Sequence, residues 1–282
     1  MHVVDSHCHI ISPNTDLFPR SPLGGKQSAW ASDRPVTAEG LLALMDESGI
    51  DQAVLVQATT AYGYDNSYVI DSAQRWPDRF AAVGTFDPLA TDAAGRLAKG
   101  IAEGLVGVRL FTTGSTMSEQ GMWFAEESTD EFWTAASKAR IPVCLQLRLG
   151  EDTRAALDLL LSRHPEATVL LDHCGYPDVV ASPGAAAELV TSFAGAGGLN
   201  LKLTHRTLEG LQHLGPSAAA DFLEPLFAKF GAERVAWGSN CPAADQPMSE
   251  LVALARDVLG SYDDDTQAAV FGGTVSRLYS LA

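Results

Sequence analysis

Two histidines stand one residue apart near the start of the chain, in the stretch from Val3 to Ile10. Its apolar residues and alternating pattern predict a buried strand, and side chains alternate between the two faces of a strand. Asp5, His7 and His9 are therefore expected to share one face. Imidazole is the commonest metal ligand in proteins and a frequent acid–base group. The pair predicts a site that holds one ion or acts on one substrate oxygen.

The acidic composition limits the partners that the chain can bind. Its 282 residues include 35 acidic and 19 basic residues, a net charge of −16, which disfavours nucleic acid and anionic membranes. No apolar run is long enough to span a bilayer and no signal-peptide pattern is visible, so we expect a cytoplasmic protein. A homo-oligomer is left open. The cysteines lack zinc-finger spacing and are expected to be reduced thiols: Cys8, Cys144, Cys174 and Cys241.

Eight short apolar stretches alternate with helical patterns along the chain. Strands are predicted at residues 3–10, 50–58, 80–86, 106–111, 141–147, 167–173, 199–204 and 234–239. Strands that alternate with helices indicate a parallel sheet of the α/β class. The strand count and the length predict a single-domain (β/α)8 TIM barrel over residues 1–282. A doubly wound open sheet is the alternative, but no glycine-rich phosphate turn follows the first strand.

Polar residues collect where the predicted strands end, whereas the strands begin with apolar residues. In a TIM barrel the active site lies at the carboxyl ends of the strands. The barrel prediction therefore brings together the following residues: His7, His9, Thr59, Asp87, Arg109, Gln146, His173, Lys202, Arg206 and Asn240.

Three of these strand ends resemble the amidohydrolase superfamily. The motifs are DSHCH at residues 5–9, LDHCG at 171–175 and WGSNCP at 237–242. The stretches VQAT at 56–59 and GVRL at 107–110 are similar to the lactonase branch of that superfamily. The resemblance spans nearly the whole chain and implies a barrel enzyme.

The resemblance implies that a metal, if one is bound, is held by His7, His9 and His173. In metal-dependent members, a histidine on strand five and an aspartate on strand eight complete the site, but this chain has Gln146 and Asn240 there. An amide is a poor ligand for a divalent cation and cannot deprotonate water. Because a lactonase of the similar branch works without metal, we expect no cofactor, with one Zn²⁺ or Mn²⁺ ion as the alternative.

The substrate is expected to be a small carboxylate or lactone. The resemblance places Arg109 and Arg206 where substrate carboxylates are bound, and the arginine fork suits such a contact. The alternatives are an ion pair inside the barrel mouth for Arg109 and a surface charge for Arg206. Thr59 and Gln146 are further candidates for substrate binding, although Thr59 also suits a helix cap.

The combined prediction is a hydrolase that opens a lactone of a small carboxylate. The histidines, with Asn240 beside them, would polarise the carbonyl. No general base is identified: Asp65 and Asp87 are favoured over Asp172, which is expected to face away from His173. A lactone isomerase, a decarboxylase and a non-catalytic barrel that binds a small acid are the alternative functions.

A lysine, two cysteines and several loop aromatics also fall at the predicted mouth. Lys202 could form a Schiff base if desolvated, and Cys174 or Cys241 could act as a nucleophile if its thiolate were stabilised. Small buried filler residues are the preferred interpretation of the cysteines. Aromatic side chains in the loops predict a flat pocket: Trp30, Tyr62, Tyr64 and Trp123.

Overall fold

Eight parallel strands form one sheet in which each strand pairs with its neighbours in chain order. The computed structural model describes residues 1–113 and 120–281. The sheet closes because the His9 amide donates to the Cys241 carbonyl and the Asn240 amide donates to the His7 carbonyl, both at 2.8 Å. The predicted single-domain (β/α)8 barrel is confirmed. Its strands are β1 Val4–Cys8, β2 Gln52–Val56, β3 Phe80–Thr85, β4 Leu105–Phe111, β5 Val143–Gln146, β6 Val169–Leu171, β7 Leu199–Thr204 and β8 Val235–Gly238.

Helices surround the barrel and connect successive strands. The N-terminal helices are α1 Ala29–Asp33, α2 Ala38–Ser48, α3 Thr59–Tyr62, α4 Ser67–Arg75, α5 Ala93–Ala102 and α6 Asp130–Lys138. The later ones are α7 Glu151–Arg163, α8 Pro183–Thr191, α9 His205–Leu214, α10 Pro216–Phe230, α11 Met248–Leu259, α12 Asp264–Ala268 and α13 Thr274–Tyr279. None of the described helices is long and apolar enough to cross a membrane.

The apolar core has two layers because strand residues alternate between the barrel interior and the helices. The larger cluster lies between strands and helices and includes Leu55 and Leu145. The smaller cluster fills the barrel near the strand beginnings and includes Val4 and Val83. Tyr279 of α13 joins this inner cluster, so the last helix packs against the amino-terminal end of the barrel. The carboxyl-terminal end is left for polar side chains.

Helix α9 begins directly after β7. His205 and Arg206 are its first two residues. The helix starts there because Thr204, at the N-cap position, is the last extended residue. Arg206 is therefore presented from the first turn of a helix at the barrel mouth.

Candidate active site

A pocket of about 520 Å³ opens at the carboxyl ends of the strands. Of the ten residues that the barrel prediction brings together, seven line the pocket. His7 and Lys202 are fully buried, and Asp87 borders a different cavity. The individual roles of the seven stay predictions, but the structure brings them together. The predicted residues in the pocket wall are His9, Thr59, Arg109, Gln146, His173, Arg206 and Asn240.

His7 and His9 form a pair whose protonation pattern follows from their contacts. The Nδ1 atom of His9 lies 2.8 Å from the carbonyl oxygen of Val56, which can only accept, so Nδ1 carries the proton. In neutral His9 the Nε2 atom is then an acceptor, and it lies 3.2 Å from Nε2 of His7. His7 must therefore donate from Nε2. Its own Nδ1 is left without a hydrogen-bond partner among the described residues.

Burial keeps these imidazoles neutral. Burial, reinforced by Arg109, lowers the pKa of His9 to about 3. Burial, together with the charge of Lys202, holds the pKa of His7 well below its usual range. His173 is likewise lowered in pKa by burial, which Arg109 reinforces and Asp172 only partly opposes. At neutral pH the three histidines therefore offer neutral donors and acceptors rather than charges.

The strand that carries the pair is irregular. Asp5 pairs with Ala53 and Cys8 with Leu55, so three residues along β1 correspond to two along β2 and the register shifts. The Asp5 carboxylate accepts hydrogen bonds from the backbone N–H groups of His7 and Ser239, both at 2.9 Å, instead of reaching the pocket. Asp5 therefore binds backbone at the junction of β1 and β8 and, unlike His9, does not line the pocket. The residue holds β1 against the β8 end.

Close packing of β1 against β8 also depends on a glycine. A Cβ atom at Gly238 would lie 2.7 Å from Oγ of Ser6 and 2.9 Å from Cβ of His7. Such distances are too short for a side chain to be accommodated without moving β1. Gly238 thus lets His7 sit beside the end of β8.

His173 is positioned by a left-handed backbone turn after β6. His173 has φ 56° and Cys174 has φ 51°, conformations that are uncommon outside glycine. The imidazole Nδ1 of His173 lies 2.8 Å from the Thr204 hydroxyl, and its ring centroid lies 5.4 Å from that of His7. The turn thus brings the His173 ring beside that of His7.

The same turn also directs Asp172 into the barrel, so the expectation that it faces away is wrong. Its Oδ2 accepts from Nε of Arg109 at 2.6 Å, and its Oδ1 lies 2.9 Å from Nζ of Lys202. Nδ1 of His7 lies 3.7 Å from the same Oδ1. Burial alone would raise the pKa of Asp172, but the charges of Lys202 and Arg109 outweigh it and hold that pKa well below the usual range.

Arg109 therefore makes the ion pair that was the alternative to a substrate contact, while it also lines the pocket. Its Nη2 donates to Oε1 of Gln146 at 2.6 Å. Two of its three guanidinium nitrogens are therefore held by side chains of the barrel. Lys202 is fully buried with its Nζ against Asp172 and does not line the pocket, so it has no access to a substrate carbonyl for a Schiff base.

Asn240 has a conformational reason to be an amide. Its φ is 63°, and asparagine is among the residues that adopt this left-handed region most readily. The side chain lines the pocket beside His9 and Arg206.

Three arginines and no carboxylate line the described part of the pocket. Arg148 and Arg206 lie on the rim, with their guanidinium carbons 5.0 Å and 5.9 Å from the ring centre of Tyr176. Inside the barrel, Asp172 is the one carboxylate opposite Arg109 and Lys202. The local charge is thus positive although the protein as a whole is strongly acidic, and such a pocket attracts anions.

Arg148 and Tyr176 were missed by sequence reasoning. Arg148 lies two residues beyond Gln146, so the rule that selected strand ends would have found it had the search extended past β5. Tyr176 has φ 58° and follows the turn at His173. Of the loop aromatics, Trp30 is confirmed at the pocket, stacked on His9 with ring centroids 5.1 Å apart.

The candidate bases and nucleophiles fall outside the pocket. Asp65 accepts from the Ser67 amide, and Asp87 accepts from the Leu89 amide and borders a different cavity. Neither carboxylate lines the active-site pocket, contrary to expectation. Burial raises the pKa of the thiols of Cys174 and Cys241 to about 12, which keeps both protonated as buried filler residues.

The residues present do not fit a divalent-metal centre. Within residues 1–113 and 120–281, no three His, Cys, Asp or Glu side chains form a group that could hold a metal ion. Gln146 is already bound to Arg109, and the charges of Arg109 and Lys202 would repel a cation placed at the histidines.

A family model described as amidohydrolase matches residues 4–281. The chain belongs to the amidohydrolase family. Among curated proteins, none matches the chain significantly.

Solved structures of this fold share little sequence with the chain. One is a probable 2-pyrone-4,6-dicarboxylic acid hydrolase from Acinetobacter baumannii with citric acid bound. It is 19% identical in sequence, the match covers 99% of this chain and 100% of the other, and the TM-score is 0.73. An amidohydrolase from Burkholderia multivorans with bound zinc is 20% identical, with 100% of both chains covered and a TM-score of 0.74. The 5-carboxyvanillate decarboxylase of Sphingomonas paucimobilis is 17% identical, with 100% and 99% covered and a TM-score of 0.69.

Proposed function

We propose that this amidohydrolase opens a lactone or related cyclic ester of a small carboxylate and uses no metal. The observation that carries the proposal is a neutral histidine pair at the base of a pocket whose described wall contains three arginines and no carboxylate. Similarity to a structure described as a pyrone dicarboxylate hydrolase, which holds citric acid, supports an anionic substrate. The arginines would bind the carboxylate and leave the ring carbonyl facing the histidines.

The histidine pair supplies both a donor and an acceptor. When the carbonyl oxygen becomes an oxyanion, His7 donates its Nε2–H to it, and the Nε2 atom of His9 is released as an acceptor. Water attacks the carbonyl carbon, and its proton goes to Nε2 of His9. The negative charge of substrate and oxyanion opposes the charge of Arg109 and makes His9 more basic than in the empty pocket.

Ring opening completes the reaction. The carbon–oxygen bond of the ring breaks, and the leaving alkoxide takes the proton from His9. The product is a hydroxy acid, whose new carboxyl group releases its proton to solvent. Asp172 and Lys202 do not touch the reacting atoms in this scheme. Asp172 holds Arg109 in place through its hydrogen bond, and the charge of Lys202 adds to burial in keeping His7 neutral.

Decarboxylation is the second candidate. It is favoured by the absence of a carboxylate from the described pocket wall, since loss of carbon dioxide needs no activated water. The likeness to a decarboxylase structure agrees with it. Both candidates require the same anion-binding arginines and differ in what happens at the histidine pair. Isomerisation of a lactone likewise needs no water, and a non-catalytic barrel would bind the acid without turnover.

Product analysis in oxygen-18 water separates these reactions. The enzyme, dialysed against a chelator, is incubated with lactones that carry a ring carboxylate. Hydrolysis places one oxygen-18 atom in the new carboxyl group, whereas isomerisation incorporates none. Decarboxylation releases carbon dioxide from the carboxylate substrates. Retained activity after metal removal is expected, and activity that returns only with added Zn²⁺ or Mn²⁺ would contradict the metal-free proposal.

A further inference from the structure

A second cavity of about 250 Å³ lies beside the active-site pocket, and we call it the apolar cavity. No basic side chain lines its described wall. Asp87 is the only charged side chain of that described wall, and Thr85 adds a hydroxyl group. The apolar and aromatic members are Leu23, Tyr64, Phe86, Leu89, Phe111 and Trp123, with Pro88 between Asp87 and Leu89.

The apolar cavity is separated from the pocket by a thin wall. Phe111 lines both spaces, and the guanidinium carbon of Arg109 lies 4.1 Å from its ring centre. Thr59 lines the pocket and Thr85 lines the cavity, with their hydroxyl oxygens 3.3 Å apart. Among the described residues, Phe111 is the side chain that the two spaces share, so it stands between a ligand at Arg109 and the cavity.

The two spaces differ sharply in charge. The pocket presents three arginines to a ligand, whereas the apolar cavity presents one carboxylate, that of Asp87. The Oδ1 atom of Asp87 is held by the Leu89 amide at 3.1 Å, so the carboxylate is fixed at this wall. A second carboxylate on the ligand would be repelled there, while an alkyl or aryl group would be favoured by the apolar wall.

We propose that the apolar cavity binds an uncharged alkyl or aryl group of the substrate. The inference rests on the proposed function, because it assumes that the carboxylate group of the substrate binds the arginines of the pocket. It identifies the substrate class as a monocarboxylate with an apolar substituent rather than a dicarboxylate. Phe111 is then the side chain that a substituent contacts as it leaves the pocket.

Isothermal titration calorimetry measures ligand affinity and so tests the inference without requiring turnover. The probes are benzoate, 4-propylbenzoate, 4-(2-carboxyethyl)benzoate and the uncharged 4-propylbenzamide. Affinity is expected to rise ~4-fold for each alkyl carbon that enters the cavity. 4-Propylbenzoate should therefore bind more tightly than benzoate, and the dicarboxylate of similar length should lose that gain.

Two exposed leucines provide a matched pair of variants. Leu89 lines the apolar cavity and is 47% exposed, and Leu159 on α7 is 49% exposed and lines neither space. Leu89→Asp should remove most of the propyl gain and leave benzoate unchanged, while Leu159→Asp should change neither. Asp87→Asn keeps the Oδ1 acceptor and should raise the affinity for the dicarboxylate several-fold.

The outcomes separate the two proposals. Any one of three results would overturn the inference. The first is equal affinity for benzoate and 4-propylbenzoate, and the second is tighter binding of the dicarboxylate than of 4-propylbenzoate to the unmodified protein. The third is that Leu89→Asp and Leu159→Asp have equal effects. If 4-propylbenzamide binds in a Leu89-dependent manner while no carboxylate binds, the cavity stands and the anion-binding pocket fails. If none of the four probes binds, both proposals are wrong.

Discussion

Replacement of Asp172 by asparagine should test the buried network most severely. The side chain keeps its shape, so no cavity forms, but Arg109 and Lys202 lose a carboxylate that contacts them at 2.6 Å and 2.9 Å. Both cations would remain buried with no opposite charge. Removal of one partner from a buried ion pair costs about 3–5 kcal/mol, a large part of the 5–15 kcal/mol that stabilises a typical protein.

Urea denaturation of matched variants measures this loss. Asp130 is the control, since it also contacts two basic side chains, at 2.6 Å and 2.8 Å, but is 38% exposed. Asp130→Asn should cost no more than about 1 kcal/mol because solvent screens an exposed pair. Adding Lys202→Met to Asp172→Asn removes one uncompensated cation and should recover part of the loss. Equal destabilisation by the two asparagine variants would refute the reasoning.

Three further predictions concern protonation, anion binding and metal affinity. The pKa of His9 is lowered to about 3 in the folded protein, so the unfolded chain binds a proton more readily than the folded one. The free energy of unfolding should therefore fall as the pH drops below the ordinary histidine pKa of ~6.5. Greater stability at pH ~5 than at pH ~7 in urea titrations would contradict this. Arg206→Met should raise KM for a carboxylate substrate about tenfold with less effect on kcat, and steady-state kinetics that show an unchanged KM would remove Arg206 from the binding site. Asn240→Asp restores a carboxylate beside the histidines and should increase Zn²⁺ or Mn²⁺ content by elemental analysis; no gain would mean that residue 240 does not face the histidine pair.

The barrel could be predicted because its signals are local. Each strand is a short apolar run, each helix has its own periodicity, and the position of a polar residue at a strand end places it at the mouth. This rule brought seven residues to one pocket across more than 230 positions of sequence. The sequence shows that Gln146 and Asn240 are amides, but it does not show that Gln146 accepts a hydrogen bond from Arg109.

The errors arose where the backbone departs from regular geometry or where distant charges meet. Strand alternation placed Asp172 opposite His173, but the left-handed turn at His173 breaks the alternation and both side chains enter the barrel. The register shift between Asp5 and Cys8 likewise interrupts the regular pairing of β1. The link between Arg109 and Asp172 spans 63 positions, and no local pattern indicates such a contact.

The proposed chemistry is tested most directly by comparing a lactone that bears a ring carboxylate with its methyl ester. Both present the same carbonyl to the histidine pair, but only the carboxylate can bind the arginines of the pocket. For metal-stripped enzyme at neutral pH, we expect kcat/KM for ring opening of the carboxylate lactone to exceed that of the ester by at least about tenfold. Equal values for the two substrates, or no ring opening of any carboxylate lactone, would contradict the account.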